Sequence, residues 1–140
     1  MNRILIADDC KELLYAMKLF LESRGFVVET VVKAKGIFKK ITLFMPNLLI
    51  TDVFMKGKDG LELCKEIKST PATKDLKIII FSSSAKALEN YEEVGADACI
   101  EKPFELFELE RKIKSTLSVP AQLTLIKGVE DSSEPVYKVL

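Results

Sequence analysis

Histidine is missing from all 140 residues, which removes imidazole general acid–base catalysis and most transition-metal sites. Cysteine is scarce: Cys10, Cys64 and Cys99 form no Cys-x-x-Cys pair, and their number is odd. Each lies within or beside an apolar segment, so buried free thiols in a reducing compartment are expected rather than a redox or zinc site. Net charge is lacking too, with 21 Lys+Arg against 21 Asp+Glu. No global field then favours nucleic acid or an anionic membrane, and functional charge must be local. The lysines Lys33, Lys35, Lys39 and Lys40 read as the wet face of a helix. Long hydrophobic runs are also absent. The apolar start Ile4-Leu5-Ile6-Ala7 ends at Asp8-Asp9, far too short for a signal peptide or a membrane span, so a soluble, cytoplasmic protein is expected.

What is present is ordinary globular composition, 48% hydrophobic and 30% charged, in a length that suits one domain with its own core. Short apolar runs alternate with helical patterns. Ile4–Ala7, Phe26–Val31, Leu48–Asp52, Ile78–Phe81 and Ala98–Ile100 read as strands. Between them, Leu13, Leu14, Met17, Phe20 and Leu21 recur at helical spacing up to Gly25. Helices are also expected over 34–44, stopped by Pro46, from Leu61 to Pro71, over 85–94, and over 104–117. Phe107, Ile113 and Leu117 are core candidates of the last. Five successive βα units imply a doubly wound α/β sandwich, a parallel sheet with helices on both faces. Its ligand site belongs beyond the carboxyl ends of the central strands. Residues 118–140 break the pattern. Leu123–Ile126 and Val136–Leu140 read as two strands around the polar segment Glu130–Glu134, or equally as a tail or the stump of a second domain.

Chemistry collects at those carboxyl ends. The first strand ends in Asp8-Asp9, the third in Asp52, the fourth in Ser82 and the fifth in Glu101-Lys102-Pro103. Three crowded carboxylates repel and raise one another's pKa values. A hard divalent cation removes the conflict, and Mg²⁺ suits it because it takes a few carboxylate oxygens and keeps waters for phosphate oxygens. Each residue alone has a plainer use. Asp9 and Glu12 have the spacing of a helix capping box, Asp52 and Ser82 could satisfy local backbone, Lys102 could be a surface amine and Pro103 a helix start. Five such groups, each at the same end of its strand, argue for a site.

The segments Ile4–Asp9, Asp52–Leu63, Ile78–Ser83 and Gly95–Phe104 resemble the receiver domains of bacterial two-component response regulators, over about residues 1–118, with 119–140 as a C-terminal extension or linker. The resemblance implies a flavodoxin-like fold with strand order 2-1-3-4-5. It implies that Asp52 is the phosphoacceptor, Ser82 the switch hydroxyl, and Lys102 the partner of Asp52 or its phosphate, with Lys102–Pro103 a cis peptide. Mg²⁺ would be held by Asp9, Asp8, Asp52 and the Phe54 carbonyl. A histidine kinase or phosphotransfer protein would be the donor, necessarily a separate molecule because this chain has no histidine. An output protein or fused effector domain would receive the signal, and a phosphorylation-linked homodimer is a further expectation. No DNA-binding helix pair follows the receiver region, so direct nucleic-acid binding is not expected, nor is membrane contact.

Four departures from the family pattern stand out. Lys56 replaces a usual proline, which would loosen the loop after Asp52. Cys99 stands where many members carry the switch aromatic. The stretch from Ser82 to Lys102 is about two residues short. Phe54, two residues after the acceptor, would hinder a hydrolytic water and slow loss of the phosphoryl group. A receiver acting only as a constitutive protein-interaction domain is the alternative. An aspartyl-phosphate phosphatase would need a second acid at Phe54, and a nucleotide-binding flavodoxin-like protein would need a glycine-rich loop where Asp8-Asp9-Cys10-Lys11 stand.

Overall fold

A computed structural model describes residues 2–118, 123–126 and 136–139. Five strands, β1 (Arg3–Ala7), β2 (Val27–Val31), β3 (Leu48–Asp52), β4 (Lys77–Ser82) and β5 (Ala98–Glu101), form one parallel sheet in the order β2-β1-β3-β4-β5. Successive side chains on a strand point to opposite faces, so the continuous apolar runs supply two cores. Leu5, Ala7, Leu49, Val53, Ile78 and Ile80 face one layer of helices, α2 (Ile37–Phe44), α3 (Gly60–Ser69) and α4 (Ala85–Leu88). Ile4, Ile6, Leu48, Ile50, Ile79 and Phe81 face the other, α1 (Lys11–Ser23) and α5 (Leu106–Leu117). The three-layer architecture expected from the alternation is present, in the expected strand order.

Several local expectations change, each for a geometric reason. Helix α2 begins at Ile37 because its N-cap, Gly36, sits at φ 81°, a conformation glycine alone adopts freely. Lys33 and Lys35 therefore lie in the β2–α2 loop, and only Lys39 and Lys40 are on the helix. The helix expected over 85–94 breaks after Leu88, and Tyr91–Val94 form a separate 3-10 turn. Leu88 and Val94 are six residues apart, about 120° around a continuous helix, yet both are buried in the same core. The break brings them to one side. Phe107 is not core: it is 60% exposed. It stands two residues before Leu109, nearly opposite the buried Leu109–Ile113 stripe, and meets Phe20 edge-on at 5.3 Å. Cys10 is exposed as the N-cap of α1, Cys99 is half-buried and Cys64 is fully buried. Burial pushes the Cys64 thiol up to about 11.

Near the carboxyl terminus, Leu123–Ile126 pairs antiparallel with Val136–Val139, the two-strand reading among those the sequence left open. The Glu130–Glu134 segment between them lies outside the described residues. Among the described residues no helix is long and apolar enough to cross a membrane.

Candidate functional site

The carboxyl edge of the sheet brings the predicted charges together. Just past β1, Asp8 continues the strand for one residue, its N–H donating to Val31 O at 3.1 Å. Its side chain is wholly buried. Oδ1 accepts from the Cys10 N–H at 2.7 Å, and Oδ2 accepts from Lys102 Nζ at 2.7 Å. Asp52 ends β3 and is 7% exposed. Its Oδ2 accepts from the same ammonium at 3.4 Å, and its Oδ1 faces the Phe54 N–H at 3.4 Å. Asp8, Asp9 and Asp52 each offer a carboxylate oxygen, and these three oxygens lie within 4.8 Å of one another.

Two contacts place Lys102 between the acids. Its N–H donates to Ser82 O at 2.8 Å, extending the β4–β5 ladder by one bond. Its ammonium also lies 4.6 Å from the centre of the Phe81 ring, a favourable cation–π distance. The bond to Pro103 is cis. Ser82 is fully buried, its Oγ accepting the Ser84 N–H at 3.0 Å. An open cavity of about 390 Å³, lined by Leu13, Ser83, Lys102, Pro103 and Phe104, adjoins this lysine.

Sequence reasoning paired Lys102 with Asp52; the structure gives it a shorter bond to Asp8. No sequence signal separates the two acids, since the preference depends on where the ends of β1, β3 and β5 fall at the carboxyl edge, with β4 lying between β3 and β5. The capping box does not form either. Cys10 is the N-cap of α1 and no side chain caps it. The Asp9 carboxylate is exposed and makes no hydrogen bond or ion pair among the described residues.

The loop after Asp52 is held tightly. Phe54–Met55 pairs antiparallel with Lys58–Asp59, and Gly57 turns the chain at φ 86°. Lys56 is exposed at this tip, so replacing the family's proline leaves the hairpin paired. Asp59 Oδ1 accepts the Leu61 N–H at 2.7 Å and caps α3. Gly60 then passes so close to the acceptor that a Cβ there would lie 2.2 Å from the Asp52 carbonyl oxygen. The phenyl ring of Phe54 is 60% exposed. Cys99 pairs with Ile80 in the β4–β5 register, and burial is the first cause of its thiol's raised pKa.

Electrostatics follow from this crowding. Burial raises the Asp52 carboxyl above the usual aspartate range; Lys102 opposes the rise and Asp8 adds to it. Burial alone would pull the Lys102 ammonium down, but its hydrogen bond to Asp8 and the charges of Asp8 and Asp52 outweigh it. Lys102 therefore stays charged. Three carboxylates against one ammonium leave excess negative charge, and each acid offers one carboxylate oxygen as a ligand. That donor set fits a hard divalent cation such as Mg²⁺.

The family match makes this fold and charge arrangement that of a signalling module rather than a classical enzyme. The chain belongs to the response regulator receiver domain family, whose model matches residues 4–114. It is 30% identical to the phosphate regulon transcriptional regulatory protein PhoB of Rhizobium meliloti (strain 1021), an alignment covering 82% of this chain and 52% of that protein. It is 31% identical to the response regulator MprA of Mycobacterium ulcerans (strain Agy99), over 82% of this chain and 50% of the relative. The chain thus spans about half the length of the curated relatives it matches. Among solved structures, the signal receiver domain of a DNA-binding response regulator from Colwellia psychrerythraea 34H superposes with TM-score 0.77 at 27% identity, covering 85% of this chain and all of that one. The signal receiver domain of a histidine kinase from Syntrophus aciditrophicus gives TM-score 0.77 at 28% identity, over 96% and 98% of the two chains.

Proposed function

We propose that this receiver domain is a phosphoacceptor switch in a two-component phosphorelay, taking a phosphoryl group on Asp52 in a Mg²⁺-dependent reaction. The observation that carries the reading is the shared position of Lys102. One ammonium lies between a buried acid it neutralises, Asp8 at 2.7 Å, and a second acid it contacts more loosely, Asp52 at 3.4 Å. Asp52 Oδ attacks as its anion, and Lys102 moves toward the phosphoryl oxygens as charge accumulates there. Positioning and charge neutralisation are the main demands of phosphoryl transfer. Asp9, exposed and without a protein partner among the described residues, would be the direct cation ligand, with Asp52 and the Phe54 carbonyl as further ligands and Asp8 acting directly or through water. When bound, Mg²⁺ neutralises the transferring oxygens and relieves the repulsion among the three acids.

After transfer, the Ser82 hydroxyl donates a hydrogen bond to the new phosphoryl group without needing to titrate. The added charge, up to about two negative units with three acceptor oxygens, is enough to reorder a loop between two close conformations. The donor is a histidine kinase or phosphotransfer protein. The recipient is an output protein or an effector segment, consistent with relatives about twice as long. Residues 1–118 form the switch, working in the cytoplasm, and 119–140 a linking extension.

Intact mass after acetyl phosphate and Mg²⁺ treatment tests the proposal. The wild type gains one phosphoryl group and Asp52→Asn gains none. An unmodified wild type would leave the alternative, a constitutive interaction domain, which the non-aromatic Cys99 and the shortened α4 region favour. The exposed Phe54 ring makes for slow loss of the phosphoryl group, and Phe54→Ala is expected to shorten the half-life of the phosphorylated mass several-fold.

A further inference from the structure

A second charged feature borders the site and takes no part in it so far. Lys33 and Lys35, from the β2–α2 loop, and Lys56 and Lys58, from the hairpin after Asp52, line one open pocket of about 380 Å³ together with Ala34 and Gly57. Lys33, Lys35 and Lys56 are exposed and make no ion pair among the described residues; Lys58 alone is held, by Glu66 on α3. The placement follows from two turns at positive φ, Gly36 at 81° and Gly57 at 86°, which bend the two loops into lysine-bearing tips. Four lysines line one concavity, three of them without an ion partner among the described residues, and in a chain of zero net charge such a cluster raises the local concentration of anions.

We infer that this pocket is an anion-binding site that gathers the phosphate-bearing donor beside Asp52. The inference rests on the phosphoacceptor reading and adds a determinant of donor capture to it. Both loops abut the acid cluster. Val31, two residues before Lys33, accepts the Asp8 N–H, and Lys56 follows Asp52 by four residues. The lining contributes only Ala34 and Gly57 besides lysine, with no aromatic or large aliphatic surface on which a nucleobase could stack. A compact phosphorylated anion fits this chemistry better than a nucleoside. The pocket acts by recruitment alone. With acetyl phosphate as the small donor, an Asp52 oxygen forms the new bond to phosphorus, while the bond from phosphorus to the acyl oxygen breaks and acetate leaves with the electron pair.

The test compares two triple variants of the full chain under acetyl phosphate and Mg²⁺. One is Lys33→Gln/Lys35→Gln/Lys56→Gln. The other is Lys65→Gln/Lys74→Gln/Arg111→Gln, which removes equal charge from exposed positions outside the pocket. At low ionic strength the pocket variant should need roughly threefold to tenfold more donor for half-maximal phosphorylation rate. Its rate at saturating donor should be unchanged, and the gap should close at about 0.5 M salt, where the Debye length is only a few ångströms. Pyrophosphate titrated into Asp52→Asn should shift the amides of 33–36 and 56–58 first. Equal donor dependence of the two variants, or a gap that survives high salt, would overturn the pocket's role. Failure of the wild type to gain a phosphoryl group would instead overturn the phosphoacceptor reading, with the pyrophosphate titration still reporting on the pocket.

Discussion

The two ends of the sheet solve the same backbone problem with opposite electrostatics. At the amino edge, Arg3 and Asn47 tie the strand starts together. The Arg3 N–H donates to Asn47 Oδ1 at 2.8 Å, and the Asn47 N–H returns a bond to Arg3 O at 2.8 Å. The Arg3 guanidinium donates to Phe44 O at 2.9 Å and lies over the Phe44 ring at 5.3 Å. No carboxylate takes part in those contacts. At the carboxyl edge, two buried acids share one ammonium and a third acid lies within reach. The difference separates holding from doing. The amino edge is satisfied within itself, whereas the carboxyl edge sets three clustered carboxylates against the one ammonium of Lys102.

The strongest way to break that contrast is to remove the shared ammonium. Lys102→Ala leaves Asp8 buried and uncompensated and should destabilise the metal-free protein by about 3 kcal/mol in urea unfolding. Millimolar Mg²⁺ should recover part of the loss; an identical deficit with and without the ion would show that the acids hold no cation. A smaller effect, about 1–3 kcal/mol, is expected for Gly60→Ala, which drives a methyl into the Asp52 carbonyl. Its labelling by acetyl phosphate should also slow, because the acceptor backbone must yield. At the opposite edge, Asn47→Ala should cost about 1 kcal/mol and leave labelling, Mg²⁺ response and pH response untouched. Coupling of that variant to phosphorylation would erase the distinction between the edges.

The smallest expected change runs the other way. Asp52 has a folded-state pKa raised first by burial, so its charged form is disfavoured in the folded, metal-free protein. Asp52→Asn should therefore raise the thermal midpoint by a few degrees near neutral pH. The wild type regains that difference as pH falls through the raised Asp52 value, and the gap closes where the unfolded carboxyl is also protonated. Calorimetry in EDTA across that range would show it. A gap that widens toward acid would mean that the carboxylate is stabilised by folding instead.

The fold was legible wherever one-dimensional pattern and burial coincide. The runs at Ile4–Ala7, Leu48–Asp52 and Ile78–Phe81 are nearly all apolar because both faces of the sheet are covered. The site was legible in outline, since parallel strands must all present their carboxyl ends at one edge. What escaped was set by contacts between distant segments. Lys102 bonds Asp8 more closely than Asp52 for reasons that lie in the relative reach of three strands. The Asp9–Glu12 spacing suggested a cap that the backbone at Cys10 does not use. The break after Leu88 follows from two residues needing the same core, and Phe107, though apolar, falls outside the core because Leu109 and Ile113 set the buried side of α5.

The central position of β1 has a consequence for when the site comes into being. Its neighbours are β2 and β3, and Asp8 and Asp52 meet only once the chain has closed the second of those pairings across more than forty residues of sequence. A nascent or partly collapsed chain holds every acid of the cluster and none of the cluster. Readiness to respond is thus a property conferred by completed folding, and a half-made copy stays silent.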